Sequence, residues 1–435
     1  MANTAQSVRS EQTTVLNVQP AKVKASRQGV ICMWHGLGVS GWLKLLSYKP
    51  KFTGPYAFRW ASISALSILT SAQNLLESAV YGRQVARTEV EHPPIFILGH
   101  WRSGTTLLHN LMTMDPEMTY ANLYQCMYPG NFLLTERIVP KLTKYLIPKT
   151  RPMDNMATSW HTPQEDEIAL AMDCGLSPYL MTGFPMRQDI YGRFYDPRDM
   201  TEQERTIWKS SLLRLIKKLT ILKNRPVVLK SPSHTYRVAT LLEMFPNAKF
   251  VYIYRDPYAV YNSSMHLRQT MFAENSLFPA SMEGSEDEMV MMYEKCIRTY
   301  EETKSLIPAG NLHEIRFEDL EVDPLGEVAQ TYRALGLSSW SSVEPFIKAE
   351  LPELTAYKKN SFRMDREMMK KIYGRIKWIF DQYGYSSRLE DSEVPVSLEL
   401  LTGTCGSLLR WRESDSGPAM NRFHETLRFT FCRRP

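Results

Sequence analysis

Four short apolar runs, near 95–98, 226–229, 249–254 and 312–317, break the polar background of the chain, and stretches of helical periodicity separate them. Ile95 to Leu98 shows no alternation, the pattern of a strand buried on both faces. Leu107, Leu108, Leu111 and Met112 then recur at helical spacing. Strands alternating with helices predict an α/β fold: a central parallel sheet with helices on both faces in three layers. The interval 113–225 is too long for a connection and is rich in Pro, Met and aromatic residues, so it reads as a helical and loop insertion forming a substrate lid. Residues 1–28 are polar and read as disordered. Residues 57–80 are apolar, but Gln73, Asn74 and Glu77 interrupt them. The unbroken stretch falls well short of the ~18 residues a membrane span needs, which predicts a buried or surface helix. The expected organisation is therefore a polar N-terminus with a helical extension over 1–90, a main domain over 91–395, and an unassigned tail over 396–435.

Composition narrows the chemistry. A chain of 435 residues with 43% hydrophobic and 23% charged content is globular, and a net charge of +6 suits anionic ligands while being too mild for a nucleic-acid partner. Six cysteines (Cys32, Cys126, Cys174, Cys296, Cys405, Cys432) lie without paired spacing and read as reduced thiols of a cytoplasmic protein. The nine histidines form no metal-binding pattern, so no metal is expected. Trp34, Trp42 and Trp60 beside Lys44, Lys49 and Lys51 leave a peripheral membrane contact open.

The first apolar run ends in Gly99-His-Trp-Arg-Ser-Gly104 and a helix opening with Thr105-Thr106. Strand, glycine loop and helix start together make an anion site, because free N–H groups and the positive end of the helix dipole converge there. The spacing approaches a Walker A loop, but Thr105 stands where the lysine of a nucleoside-triphosphate site belongs, and the cation is Arg102. A second site follows the strand 249–254. There Arg255-Asp-Pro opens a helix bearing Ser263, and a guanidinium with a nearby hydroxyl suits a phosphate dianion.

Arg102-Ser103-Gly104-Thr105-Thr106-Leu107 resembles the 5′-phosphosulfate loop of sulfotransferases that use 3′-phosphoadenosine 5′-phosphosulfate (PAPS), in the form of the bacterial and tyrosylprotein-type branch. Arg255 and Ser263 match that family's 3′-phosphate pair, an arginine ending a strand and a serine eight residues later. The resemblance covers about Pro93 to Tyr385. It implies a P-loop-like fold, PAPS as co-substrate, and Lys230, in Leu229-Lys230-Ser-Pro-Ser-His234, as the group touching the transferring sulfuryl. It implies no acceptor: carbohydrate, lipid, phenol, peptide and small metabolite all stay open.

Transfer to a hydroxyl or amine also needs a base. Glu165, Asp166, Glu167, His161 and His234 are the candidates. His234 lies four residues after Lys230, where the cytosolic branch has its histidine at two. The glutamate of the tyrosylprotein-type branch has no counterpart in 118–125. Glu165 is favoured because it precedes the apolar helical run Ile168-Ala169-Leu170, and the alternative for the Glu-Asp-Glu run is a solvated helix start. Two rival readings are a P-loop kinase or NTPase, which lacks its lysine and its magnesium-binding aspartate here, and a non-catalytic PAPS- or anion-binding protein of the same fold.

Overall fold

The computed structural model describes residues 32–151, 156–355, 358–360, 364–390 and 400–402. The expected disorder of 1–28, Cys405, Cys432 and most of the tail lie outside them. Five strands, β1 (Ile95–Leu98), β2 (Thr119–Tyr120), β3 (Val227–Lys230), β4 (Lys249–Tyr254) and β5 (Leu312–Arg316), form one parallel sheet in the order β2-β3-β1-β4-β5. The α/β expectation holds. The two-residue β2 was not foreseen, since so short a run carries no periodicity. Leu400–Thr402, in the unassigned tail, pairs antiparallel with Lys358–Asn360.

Eight helices matter for the site and its surroundings: α1 (Val39–Ser47), α2 (Ala57–Arg87), α3 (Thr105–Met112), α4 (Asp166–Asp173), α5 (Glu202–Leu222), α6 (Pro257–Asn275), α7 (Ser285–Thr303) and α8 (Arg366–Tyr383). Strand β1 is buried throughout and its side chains part by parity. Ile95 and Ile97 join α3 residues Leu108 and Leu111, with Val328 and Tyr332, on one face. Phe96 and Leu98 join the larger core on the other face, with Trp160, Leu170, Trp208 and Tyr236. Those two cores are the outer boundaries of the middle layer.

The segment before β1 packs into the larger core. Trp34 is fully buried, with its indole N–H donating to the Asn275 carbonyl at 2.6 Å. Trp42 donates to Ser64 and Trp60 to the Leu277 carbonyl, both at 2.9 Å. Lys44 reaches the carbonyls of Cys174 and Gly175. The indole N–H groups of these three tryptophans are therefore all spent on partners inside the protein. Cys32, Cys126, Cys174 and Cys296 are free thiols. Glu77, which interrupts the apolar stretch of α2, faces inward to Lys218 of α5 at 2.5 Å. Among the described residues no helix is long and apolar enough to cross a membrane.

Candidate active site

The loop between β1 and α3 owes its shape to three residues in the left-handed region: Gly99 (φ +141°), Arg102 (φ +71°) and Gly104 (φ +102°). A methyl group on Gly104 would fall on the Phe317 ring, so backbone and packing both demand glycine. Thr235 pins the loop from β3's side: the Gly99 N–H donates to its hydroxyl at 2.8 Å, and that hydroxyl donates to the Gly99 carbonyl at 3.2 Å. Ser103 spends its hydroxyl within the loop, donating to the His100 carbonyl at 2.8 Å. No side chain caps α3 and no acid stands in its first turn, so the helix start keeps its donors and its positive potential.

Gly104→Ala is expected to destabilise the protein by about 2–4 kcal/mol, from strain at positive φ plus overpacking against Phe317. Urea denaturation measures this. A change below about 0.5 kcal/mol, the range of ordinary surface substitutions, would contradict the packing described.

Arg255 follows the last residue of β4. Asp256 then caps α6, accepting from the N–H groups of Tyr258 and Ala259 at 2.9 and 3.0 Å, with Pro257 in the first turn. Ser263 lies two turns along the same helix. Both side chains turn back to the loop: the Arg102 Nε donates to Ser263 Oγ at 2.6 Å, and Arg255 Nη1 donates to the Arg102 carbonyl at 3.3 Å. The Arg255 guanidinium also covers the Phe317 ring at 4.1 Å. Half-buried Arg102 thus joins buried Arg255 and Ser263, about 150 residues on, in one cationic cluster beside the α3 N-terminus. Phe317 serves both halves, bounding Gly104 and supporting Arg255.

On the loop's other flank, Lys230 ends β3 with its ammonium 2.7 Å from Glu165 Oε1 and 3.5 Å from the Thr106 hydroxyl. Lys230 is only 2% exposed, and burial holds its pKa below the ordinary lysine value, with Glu165 opposing that shift. The second Glu165 oxygen accepts from the Tyr179 hydroxyl, which in turn accepts from the Trp101 indole at 3.2 Å. Neither Tyr179 nor Trp101 was among the sequence candidates. Trp101 lies inside the loop motif, while nothing in the sequence around Tyr179 signals its position.

The acidic run meets the segment after β3 rung by rung. Glu165 pairs with Lys230, Asp166 with His234 at 2.6 Å, and Glu167 with Arg237 at 2.5 Å. Asp166 and Glu167 are buried, so the solvated-helix-start alternative is corrected. Burial pushes the Asp166 carboxyl upward, but the charge and hydrogen bond of His234, with one from Ser231, bring it below the usual range. His234 is fully enclosed, edge-on to Phe96, and His161 is exposed outside this network. His109 on α3 is buried too, and its pKa falls to about 3 through burial, with Lys230 adding to the shift. Among the described residues no cluster of metal-ligating side chains occurs.

A model of the sulfotransferase family matches residues 93–342, from the strand before the loop to beyond β5. The chain belongs to the sulfotransferase family. It is 37% identical over 362 residues to the omega-hydroxy-beta-dihydromenaquinone-9 sulfotransferase Stf3 of Mycobacterium tuberculosis and of Mycobacterium bovis, covering 82% of this chain and 92% of theirs. Among solved structures, sulfotransferase STF9 from Mycobacterium avium superposes with a TM-score of 0.62 at 18% identity, over 82% of this chain and 93% of that one. Sulfotransferase STF1 from Mycobacterium tuberculosis gives 0.55 at 17% identity, over 77% and 90%. Both share the fold. This sulfotransferase is thus an enzyme that moves a sulfuryl group to an acceptor, and the kinase and non-catalytic readings are set aside.

Proposed function

We propose that this sulfotransferase takes PAPS as donor and a hydroxyl-bearing prenyl lipid as acceptor. The observation that carries the chemistry is the Lys230–Glu165 contact at 2.7 Å beside Thr106 at the start of α3. A cation for the transferring group and a carboxylate for the acceptor proton meet there at an anion-binding helix N-terminus. Arg102 and the N–H groups of Ser103 to Thr106 would hold the 5′-phosphate, those of Gly104 to Thr106 uncapped and that of Ser103 now donating to the His100 carbonyl at 3.1 Å. Arg255 and Ser263 would hold the 3′-phosphate, and the Arg102–Ser263 contact couples the two phosphate sites. We assign the sulfotransferase domain to 91–395, with 113–225 as lid.

In the transfer, the acceptor hydroxyl oxygen bonds to sulfur as Glu165 takes its proton. The bond between sulfur and the bridging phosphate oxygen breaks, and its electron pair leaves on adenosine 3′,5′-bisphosphate. Lys230 stabilises the sulfuryl oxygens, while Arg102 and the loop N–H groups neutralise the leaving phosphate. A loose transition state of this kind gains from position and charge rather than from covalent intermediates. The lipid acceptor is argued from the 37% identical relatives, whose named substrate is an omega-hydroxylated menaquinone derivative.

Mass spectrometry of the enzyme with PAPS and a menaquinol bearing a terminal hydroxyl, against the same lipid without it, tests this. One sulfuryl group added only to the hydroxylated lipid is expected. Sulfation of a phenol or sugar with none on either lipid would overturn the acceptor, and no transfer from PAPS to any acceptor would overturn the donor.

A further inference from the structure

Helix α2 is built inside out. Its protein-facing positions include Ser67, Thr70 and Glu77, while Phe58, Ile68, Leu69, Leu75, Leu76 and Val80 face outward. Phe58 is 75% exposed and Leu75 is 74% exposed, although both are large apolar side chains. At 100° per residue these positions, with the exposed Ala61, Ala65, Ala72 and Ala79 between them, cover an arc of about 140°, roughly two-fifths of the circumference. The stripe from 58 to 80 is about 33 Å long at 1.5 Å per residue. A continuous exposed apolar surface of this extent marks a docking face.

Charge identifies the occupant. From residue 39 to 88 the sole acidic residue is Glu77, and it is buried against Lys218. Exposed Lys49 and Lys51 precede the stripe, and exposed Arg83 and Arg87 follow it. The segment 137–151 also lacks acids and exposes Lys141, Lys144 and Lys149 beside Leu142 and Tyr145. It follows residues tied to α2, since Asn131 donates to Asn74 at 2.8 Å and the Leu134 N–H donates to Glu77 at 3.1 Å. It ends at Arg151, whose charge acts on Lys230. A second copy packed antiparallel along α2 would set Arg83 and Arg87 against Lys49 and Lys51, and the exposed Glu89 and Glu91 just past the helix leave cations in excess at each end. An apolar arc flanked at both ends by exposed cations, with Glu89 and Glu91 lying past the helix, complements an anionic bilayer better.

We propose that α2 lies in the interfacial plane of an anionic lipid bilayer, its apolar arc among the acyl chains and its basic rim on the lipid phosphates. The docking stands on α2 itself; its use, presenting a bilayer-resident acceptor to the cleft, rests on the reading of the acceptor as a prenyl lipid. Sedimentation of the full chain with phosphatidylglycerol-containing vesicles tests the docking. Pure phosphatidylcholine vesicles, and the variant Leu75→Glu/Leu76→Glu, whose sites are exposed and outside the catalytic machinery, serve for comparison. Wild type is expected to sediment with anionic vesicles, at least about tenfold less with neutral ones, and the variant to lose at least about tenfold in affinity. Transfer to a detergent-dispersed acceptor should stay unchanged in the variant, which separates failure of docking from failure of the catalytic reading. Absent vesicle binding, or binding equal in the variant, would overturn the proposal. So would a dimer in light scattering that the substitution dissociates without any vesicle binding, since a second copy would then own this face.

Discussion

Glu165→Gln is expected to lower turnover by about 10²–10⁴-fold, the span that a positioned general base contributes. Glutamine keeps the shape of the side chain: its carbonyl oxygen can accept from Lys230 and its amide N–H can donate to the Tyr179 hydroxyl oxygen, the two groups that meet Glu165. It cannot take the acceptor's proton. Affinity for adenosine 3′,5′-bisphosphate should not change, because Glu165 lies on the sulfuryl side of the loop and the Arg255–Ser263 cluster on the other. Steady-state rates with PAPS, paired with equilibrium binding of the bisphosphate, separate the two effects. His234 is fully enclosed and spends Nε2 on Asp166, so His234→Ala should cost stability rather than the proton transfer. A Glu165→Gln enzyme that keeps most of its activity, beside a His234→Ala enzyme that folds and has lost it, would reverse the assignment.

Arg237→Met is expected to destabilise the protein by about 3–5 kcal/mol, because it strands a buried carboxylate without its partner. Arg237 donates to Glu167 through two nitrogens and to the carbonyls of Phe194 and Tyr195, and its guanidinium covers Trp208 at 4.7 Å. Both members of the pair are fully buried. The double variant Arg237→Met/Glu167→Met removes both charges and should be less destabilised than Arg237→Met alone. Urea unfolding of the single and double variants tests this, and a single variant within about 0.5 kcal/mol of wild type would show that the pair does not hold α4 to the segment after β3.

The sheet was legible where strands are long and apolar. Ile95–Leu98 and Lys249–Tyr254 stand at the positions the pattern gives, because a strand buried on both faces leaves a run with no polar break. Thr119–Tyr120 was hidden, since two residues define no period. Asn74 and Glu77 were legible as interruptions of an apolar stretch, yet not as the inward face of α2, because a sequence shows the periodicity of a face and not which side meets the core. For the site, the loop glycines and the Arg255–Ser263 spacing are local patterns and could be read directly. The Glu165–Lys230 pair joins residues 65 apart, and Tyr179 and Trp101, 78 apart, close around it, which no local spacing encodes. The rung-like pairing of 165–167 with 230–237 is likewise invisible in either segment alone; each carboxylate had three positions to fill and only the fold matches them.

Isothermal calorimetry of the full chain with adenosine 3′,5′-bisphosphate, and with ATP and magnesium, tests the central claim most directly: that the loop and the Arg102–Ser263–Arg255 cluster form one site for a nucleotide bearing a 3′-phosphate. The bisphosphate should bind more tightly than ATP–magnesium. Arg255→Ala should weaken it by about 2–3 kcal/mol, the worth of a charge-assisted fork on a phosphate, while barely changing ATP. Equal or tighter binding of ATP–magnesium, or bisphosphate affinity indifferent to Arg255→Ala, would contradict the account.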